Sequence, residues 1–115
     1  MDDDILSRAF AALADPTRRD LVARLTLGDA TVGELAAPYA MSLQAVSKHL
    51  AVLESAGLVS RRRDAQRRPV HLEAEVLGEL TCWIDRHRIA AEARMSRLDD
   101  VLRTLNSTDS EERPS

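Results

Sequence analysis

The chain has 115 residues, of which 44% are hydrophobic, and a net charge of −3. A chain of this size buries one modest core, and no stretch approaches the roughly 18 consecutive apolar residues of a membrane span. A single cysteine, Cys82, excludes an intramolecular disulfide framework and every zinc motif built from several cysteines. The first residues contain no basic segment followed by an apolar run, so nothing indicates export. We expect one soluble cytoplasmic domain over residues 1–105, without a membrane contact.

Two helices are predicted at the start of the chain. Apolar residues at helical spacing from Ile5 to Leu13 follow three aspartates, and carboxylates are favourable at a helix N-terminus. Asp15 and Pro16 have the pattern of an N-cap and a first helical residue, and Gly28 is the expected end of this second helix.

A helix-turn-helix pair is predicted next. Thr31 and Glu34 form a capping box for a short third helix, from Val32 to Ala37, which Pro38 ends. After a short turn, Ser42 is the expected N-cap of a fourth helix. A short turn between two helices is typical of the helix-turn-helix motif.

The fourth helix has two different faces. Its apolar residues at helical spacing are Val46, Leu50 and Leu53, which we expect to enter the core. The opposite face, called the outer face below, consists of Gln44, Ala45, Lys48 and Ala51. Gly57 is the expected glycine just beyond the helix C-terminus. One face is thus predicted to be core and the other free to contact a ligand.

An arginine-rich hairpin follows this helix. An extended run is predicted to end in Arg61, Arg62 and Arg63, to turn at residues 64–66, and to return through Arg67 and Arg68 into a second strand at residues 70–72. The arginines therefore cluster at the turn.

Charge is unevenly distributed along the sequence. Residues 42–73 contain six basic and three acidic side chains, a net charge of +3, which leaves −6 for the remainder of a chain whose total is −3. A basic edge on an acidic body directs that edge toward phosphate and helps to orient the protein on nucleic acid. Double-stranded DNA is therefore the expected partner.

A long amphipathic helix is predicted from about Glu75 to Leu105. At about 1.5 Å per residue it would span on the order of 45 Å, more than a small domain needs to cover itself. We therefore expect it to pack against a second copy of the chain, in a homodimer. The polar residues 106–115 are expected to form a disordered tail. The apolar seam expected to face the second copy contains positions 77, 80, 84, 91, 95, 98, 102 and 105.

Three ordered segments resemble a known family. The segments LADPTRRDLVARL, TVGELA and SLQAVSKHLAVLESAGLVSRRRDAQRRPVHL look like those of an ArsR-type (arsenical-resistance repressor) winged helix-turn-helix regulator. The resemblance covers about residues 5 to 105. It implies a mainly α fold of about five helices, with two antiparallel strands as the wing. It also implies a homodimeric repressor that an unidentified signal releases from its operator.

The metal-binding motifs of such regulators are incomplete in this sequence. Where the resemblance places two cysteines after Glu34, the chain has alanines and Pro38. The other motif would lie on the last helix, where Asp85 and His87 are present but the two later ligand positions are Leu98 and Val101. Each half-site keeps two of the four donors that zinc normally takes. The resemblance therefore implies a metal-free member that needs no cofactor, with a residual metal or pH-sensing site at Asp85 and His87 left open.

The candidate DNA contacts lie on the fourth helix and the wing. Gln44 can pair with adenine in the major groove, and Lys48 can reach guanine or a phosphate. Ser42 and Ser47 are candidate phosphate contacts, although capping already explains Ser42, and His49 has either a packing or a phosphate-contact role. The wing arginines can contact phosphate or enter a minor groove. The full predicted set is Ser42, Gln44, Ala45, Ser47, Lys48, His49, Arg61, Arg62, Arg63, Arg67 and Arg68.

Three residues of the last helix have more than one interpretation. His87 is a buried interface residue, a solvated edge residue, or a sensor that titrates near neutrality. Cys82 is most simply a small core residue, with a thiol switch as the alternative. Trp83 is expected to fill the core rather than to bind a cofactor.

Two other classes of function compete with a DNA-binding repressor. A winged helix can serve as a protein-interaction module without DNA, but the basic edge, rather than an exposed apolar patch, argues against it. An enzyme would need converging catalytic groups, whereas His49, His71 and His87 belong to separate elements. We therefore predict a regulator that is not an enzyme.

Overall fold

A computed structural model describes residues 3–63 and 66–112 of the chain. Within this part the chain forms five helices and a two-stranded antiparallel sheet, which confirms the predicted mainly α fold with a β-hairpin wing. The residues group into two compact units, Met1–Leu80 and Thr81–Ser115.

The first two helices are α1, Asp3–Ala12, and α2, Pro16–Leu25. The N-cap of α2 is Asp15, as predicted, and its carboxylate accepts the backbone N–H of Arg18 at 3.0 Å. The end of α2 differs from the prediction. Thr26 keeps helical dihedral angles as the C-cap, so the helix proper ends three residues before Gly28, whose φ is +149°.

The helix-turn-helix pair consists of α3, Val32–Ala36, and α4, Leu43–Ser55. Both halves of the predicted capping box of α3 are present, and the Oγ of Ser42 accepts the N–H of Ala45 at 3.1 Å at the start of α4. Beyond α4, Gly57 has a φ of +78°, a conformation that glycine adopts without the steric cost of a Cβ. Local capping therefore defines this motif, as the sequence predicts.

The wing, residues 59–72, contains β1, Val59–Arg61, and β2, Val70–Leu72. Val59 is paired with Leu72, and Arg61 with Val70. A further pairing was not predicted. Ala30 and Val70 exchange both backbone hydrogen bonds, at 3.2 and 2.7 Å, so the loop before α3 extends the edge of the sheet. These bonds attach the wing to the helix-turn-helix pair.

The core of the first unit joins all of its elements. Val46, Leu50 and Leu53 are fully buried, which confirms the predicted apolar face of α4. A burial of this extent contributes roughly 1.5–3 kcal/mol for each large apolar side chain, and it fixes how α4 is rotated about its axis. The outer face must then point away from the core. The other fully buried large side chains are Leu21, Leu35, Leu58 and Val70.

The last helix, α5, is Ala74–Glu112. Its Leu80 belongs to the buried core of the first unit, whereas none of the described side chains in residues 81–107 is buried. The helix continues past Leu105, so residues 106–112, which we expected to be disordered, are helical; the rest of that predicted tail lies outside the described residues. No helix in the described part of the chain is long and apolar enough to cross a membrane.

Candidate nucleic-acid interface

The outer face of α4 is largely open to solvent. Gln44, Lys48 and Ala51 are exposed, while Ala45 is half-buried. Ser47, on the flank of this face, is also half-buried. The long polar side chains of Gln44 and Lys48 lie one turn apart, so both are available to a partner that approaches this side of the helix.

Ser42 is exposed but already has a structural task. Its Oγ accepts the N–H of Ala45 and so satisfies one of the free donors at the helix N-terminus. A hydroxyl can still donate its hydrogen to a second acceptor, so capping does not prevent a phosphate contact.

His49 has a specific polar environment that the sequence did not indicate. It is half-buried, and its Nδ1 lies 3.3 Å from Nη1 of Arg18 and 3.8 Å from Oδ2 of Asp15. Both neighbours belong to the segment at the start of α2. The segment Asp-Pro-Thr-Arg could have indicated part of this environment, because it places the two side chains three residues apart at a helix N-cap.

Arg18 connects three elements of the first unit. Its Nε donates to the carbonyl of Ala12 at 2.6 Å and its Nη2 to the carbonyl of Ala11 at 3.4 Å, so the guanidinium caps the C-terminus of α1. Its backbone N–H lowers the pKa of Asp15 below the usual carboxyl range by bonding to the charged form. The contact with His49 then joins this corner to α4.

Three of the five wing arginines already have carboxylate partners. Arg61 pairs with Glu54 at 3.2 Å and Arg62 with Glu73 at 3.9 Å. Arg67 pairs with Glu34 at 2.5 Å. The basic edge that the sequence predicts is therefore partly neutralised within the chain by its own acidic residues, which sequence position alone did not show.

Arg63 and Arg68 have no ion pair among the residues that the structure describes. Both are exposed, and Arg68 has a φ of +46°, the left-handed conformation common in tight turns. Pairing in the wing continues beyond β1, because the N–H of Arg62 donates to the carbonyl of Pro69 at 2.8 Å. Of the predicted turn, Asp64 and Ala65 lie outside the described residues.

The second unit corrects two predictions. Cys82 is exposed rather than a core residue. Trp83 is 38% exposed and stacks on His87 with ring centroids 4.1 Å apart, so it does not fill the core of the first unit. His87 is exposed, and its Nδ1 lies 2.8 Å from the carbonyl oxygen of Trp83. The large apolar side chains of this unit that the structure describes are exposed to solvent in the single chain.

No potential metal site of three or more His, Cys, Asp or Glu side chains occurs among the described residues. Asp85 lies 3.4 Å from Arg88 in an ion pair on the same helix. Whether Asp85 and His87 serve as a residual site therefore stays a prediction.

Comparison with known proteins agrees with this geometry. The model of a helix-turn-helix domain matches residues 13–62. The chain is 47% identical over 79 residues to the HTH-type transcriptional regulator Rv2034 of Mycobacterium tuberculosis, covering 69% of this chain and 74% of that protein. It is 33% identical over 79 residues to the transcriptional repressor SdpR of Bacillus subtilis, covering 69% and 88%.

Solved structures show the same relationship. The crystal structure of an ArsR family transcriptional regulator, RHA00566, matches with a TM-score of 0.71 and 36% identity, covering 76% of this chain and 97% of that one. The homodimeric winged helix-turn-helix domain of Mb0332 from Mycobacterium bovis, described as a possible ArsR-family regulator, matches with a TM-score of 0.59 and 26% identity, covering 82% and 84%.

A capped helix-turn-helix with an open helix face and a basic hairpin beside it defines a winged helix-turn-helix DNA-binding protein. The sequence and structural matches are to the same class. The chain belongs to the ArsR family of transcriptional regulators, as its motifs predict. This is a family of DNA-binding regulators, not of enzymes.

Proposed function

We propose that the protein is a homodimeric repressor that binds a near-palindromic operator and leaves it in response to a signal still to be identified. The observation that carries this proposal is the outer face of α4, where Gln44 and Lys48 are exposed directly opposite the buried apolar face. An α-helix with such a face fits the major groove of B-DNA, where each base pair presents a distinct pattern of donors and acceptors. Like a bacterial regulator of chromosomal genes, the protein would act in the cytoplasm.

Base recognition belongs to α4 in this proposal. The amide of Gln44 offers one acceptor and two donors, which match adenine bidentately, while the ammonium group of Lys48 can reach guanine or a phosphate. Ser42, Ser47 and His49 flank the exposed part of the helix, and we assign them to the phosphate backbone. Ala45 is half-buried, so it limits how closely the helix approaches the bases rather than reading them.

The wing supplies phosphate contacts in two groups. Arg63 and Arg68 can contact phosphate directly, because no described carboxylate holds them. The other three wing arginines must exchange a carboxylate for a phosphate, so they bind DNA only when its backbone displaces that carboxylate. The pairs are Arg61 with Glu54, Arg62 with Glu73, and Arg67 with Glu34. Such contacts are insensitive to sequence and become weaker with salt.

Dimerisation follows from the exposed apolar residues of the second unit. Five large apolar side chains of this unit are 47–60% exposed: Ile84, Met95, Leu98, Leu102 and Leu105. The last four of them recur three or four residues apart. A helix with such a stripe is stabilised by covering it with another helix. A second copy supplies a matching stripe, and the winged helix-turn-helix domain of the Mycobacterium bovis neighbour is itself described as homodimeric. Two copies of α4 would then lie about 34 Å apart, one turn of DNA.

A protein-interaction module without DNA is the competing function. It would use exposed apolar residues near the helix-turn-helix pair, and α4 has two of them, Leu43 and Val52, which are 55% and 42% exposed. The exposed polar side chains of α4 and the wing include, in contrast, Gln44, Lys48, Arg63 and Arg68. This surface favours a polyanion.

Selection of bound fragments from genomic DNA, followed by anisotropy titrations across salt, tests the proposal. We expect one enriched near-palindromic site, with log affinity falling linearly against log salt at about 0.9 per phosphate contact. Binding that shows no salt dependence, or no enriched site, would contradict it.

A further inference from the structure

We propose that Arg18 is a positioning residue for DNA binding: its guanidinium directs the hydrogen of the His49 imidazole to Nε2, so that His49 presents an N–H donor to a DNA phosphate. The inference deepens the proposed function and rests on it for the phosphate contact. The tautomer itself is a property of the free protein and can be measured without DNA.

The position of Arg18 is fixed independently of His49. Two of its nitrogens donate to the carbonyls of Ala12 and Ala11 at the end of α1, and its backbone N–H donates to Asp15. The guanidinium therefore lies in one place when α1 and α2 are folded. The third guanidinium nitrogen of Arg18, Nη1, donates to neither carbonyl and lies 3.3 Å from Nδ1 of His49.

The chemistry of this contact determines the tautomer. A guanidinium has five N–H donors and no acceptor, so a hydrogen bond between it and Nδ1 requires Nδ1 to carry the lone pair. A neutral imidazole whose Nδ1 accepts has its hydrogen on Nε2.

Asp15 is the only other described group that could direct Nδ1. Its Oδ2 lies 3.8 Å away, beyond hydrogen-bond distance, and already accepts the backbone N–H of Arg18. The contact with Arg18 is shorter and its donor is otherwise available, so Arg18 rather than Asp15 sets the tautomer.

The consequence appears at the other ring nitrogen. Nε2 of His49 has no hydrogen bond to any residue that the structure describes, and the side chain is 23% exposed. A directed N–H at this position suits a phosphate oxygen next to the outer face of α4. His49 would then contribute to register on the DNA without reading a base.

The chain provides a matched control for Arg18. Arg19 is also a cation near the start of α2, and its Nη1 donates to the carbonyl of Leu13 at 2.8 Å, but it has no contact with His49. Arg18→Met and Arg19→Met therefore both remove a charge and a helix cap. We expect Arg18→Met to weaken operator binding about tenfold, the effect of one charge-assisted hydrogen bond, and Arg19→Met to weaken it much less.

Amide substitutions separate the two ring nitrogens. In His49→Gln the amide nitrogen can take the place of Nε2, whereas in His49→Asn it lies near the place of Nδ1. We expect His49→Gln to bind the operator almost as well as the natural protein and His49→Asn to bind as poorly as His49→Ala. In the His49→Gln background, Arg18→Met should cost no more than Arg19→Met.

Nitrogen-15 NMR of the free protein gives the direct readout. We expect an unprotonated Nδ1 and a protonated Nε2 at His49 near neutral pH, and a mixture of tautomers in Arg18→Met but not in Arg19→Met. A hydrogen on Nδ1 in the natural protein, or equal losses of DNA binding in the two arginine variants, would overturn the proposal even if Arg18→Met folds poorly. If the natural protein binds no DNA while His49 has the expected tautomer, the proposed function fails instead, and the phosphate contact fails with it.

Discussion

Ser42 combines a structural and a binding role that mutation can separate. Its Oγ caps α4, and capping by serine is worth about 1 kcal/mol relative to alanine. We therefore expect Ser42→Ala to lower the free energy of unfolding by about 1 kcal/mol, measured by urea denaturation.

Ser42→Asp provides the contrast. Aspartate caps as well as serine but adds a negative charge where we place a DNA phosphate, so stability should be kept while DNA affinity falls. If Ser42→Asp binds DNA as tightly as the natural protein, Ser42 lies away from the DNA.

Asp15 gives the fold a pH dependence of known sign. The backbone N–H of Arg18 holds the pKa of Asp15 below its usual value of 3.8, so the folded state favours the carboxylate. The stabilisation is fully present above the pKa of the unfolded carboxyl and is lost as the pH falls through the lowered pKa. Asp15→Asn keeps a capping oxygen but cannot titrate. We expect its melting temperature to fall less between pH 7 and pH 3 than that of the natural protein; parallel pH profiles would contradict this.

Among the elements, those with local signals were predictable. Asp15, Thr31 with Glu34, and Ser42 mark the starts of α2, α3 and α4 because each cap acts within three residues. The exposed residues of α4 followed from helical spacing. Strand β1 ends at Arg61 rather than at the predicted Arg63, whereas β2 has the predicted bounds. The pairing of Ala30 with Val70 was not predicted, because it joins residues 40 positions apart and sequence patterns do not report such contacts.

The partners of the candidate site residues could not be predicted for the same reason. Glu34 and Arg67 are 33 residues apart, and Arg18 is 31 residues from His49. Asp29 and His71, which also form a pair, are 42 residues apart. Each pair depends on how α2, α3, α4 and the wing pack together. Sequence therefore indicated which residues carry charge, but not which charges are already paired.

The ion pair between Glu34 and Arg67 should restrain the wing. Glu34→Gln retains a side chain that completes the capping box of α3 while removing the charge that holds Arg67. Since exposed pairs are weak, we expect operator and random DNA to bind about two- to fivefold more tightly. Anisotropy at low salt measures this.

Glu75→Gln is the matched control, because Glu75 has no ion pair with a wing arginine among the described residues. An equal gain in Glu75→Gln would assign the effect to net charge alone. No gain in Glu34→Gln would show that Arg67 does not contact DNA.

At the scale of the whole molecule, the apolar stripe of the second unit should control assembly. We expect Leu102→Glu to convert the proposed dimer into a monomer, as followed by light scattering, because it would place a charge within the stripe that a second copy would cover. Operator binding should weaken greatly, since two linked copies of α4 bind with a higher effective concentration than one. Arg103→Glu is the control, since Arg103 is 80% exposed beside Asp100. A dimer that persists in Leu102→Glu would place the interface elsewhere.

The most direct measurement compares Gln44→Ala with Arg68→Ala on the selected operator and on random DNA across salt. We expect Gln44→Ala to lose roughly 1–3 kcal/mol on the operator only, to relax preference at one base position and to keep its salt slope. Arg68→Ala should weaken both DNAs alike and lower the salt slope by about one. The reverse pattern, with specificity lost in Arg68→Ala and unchanged in Gln44→Ala, would contradict base recognition by α4.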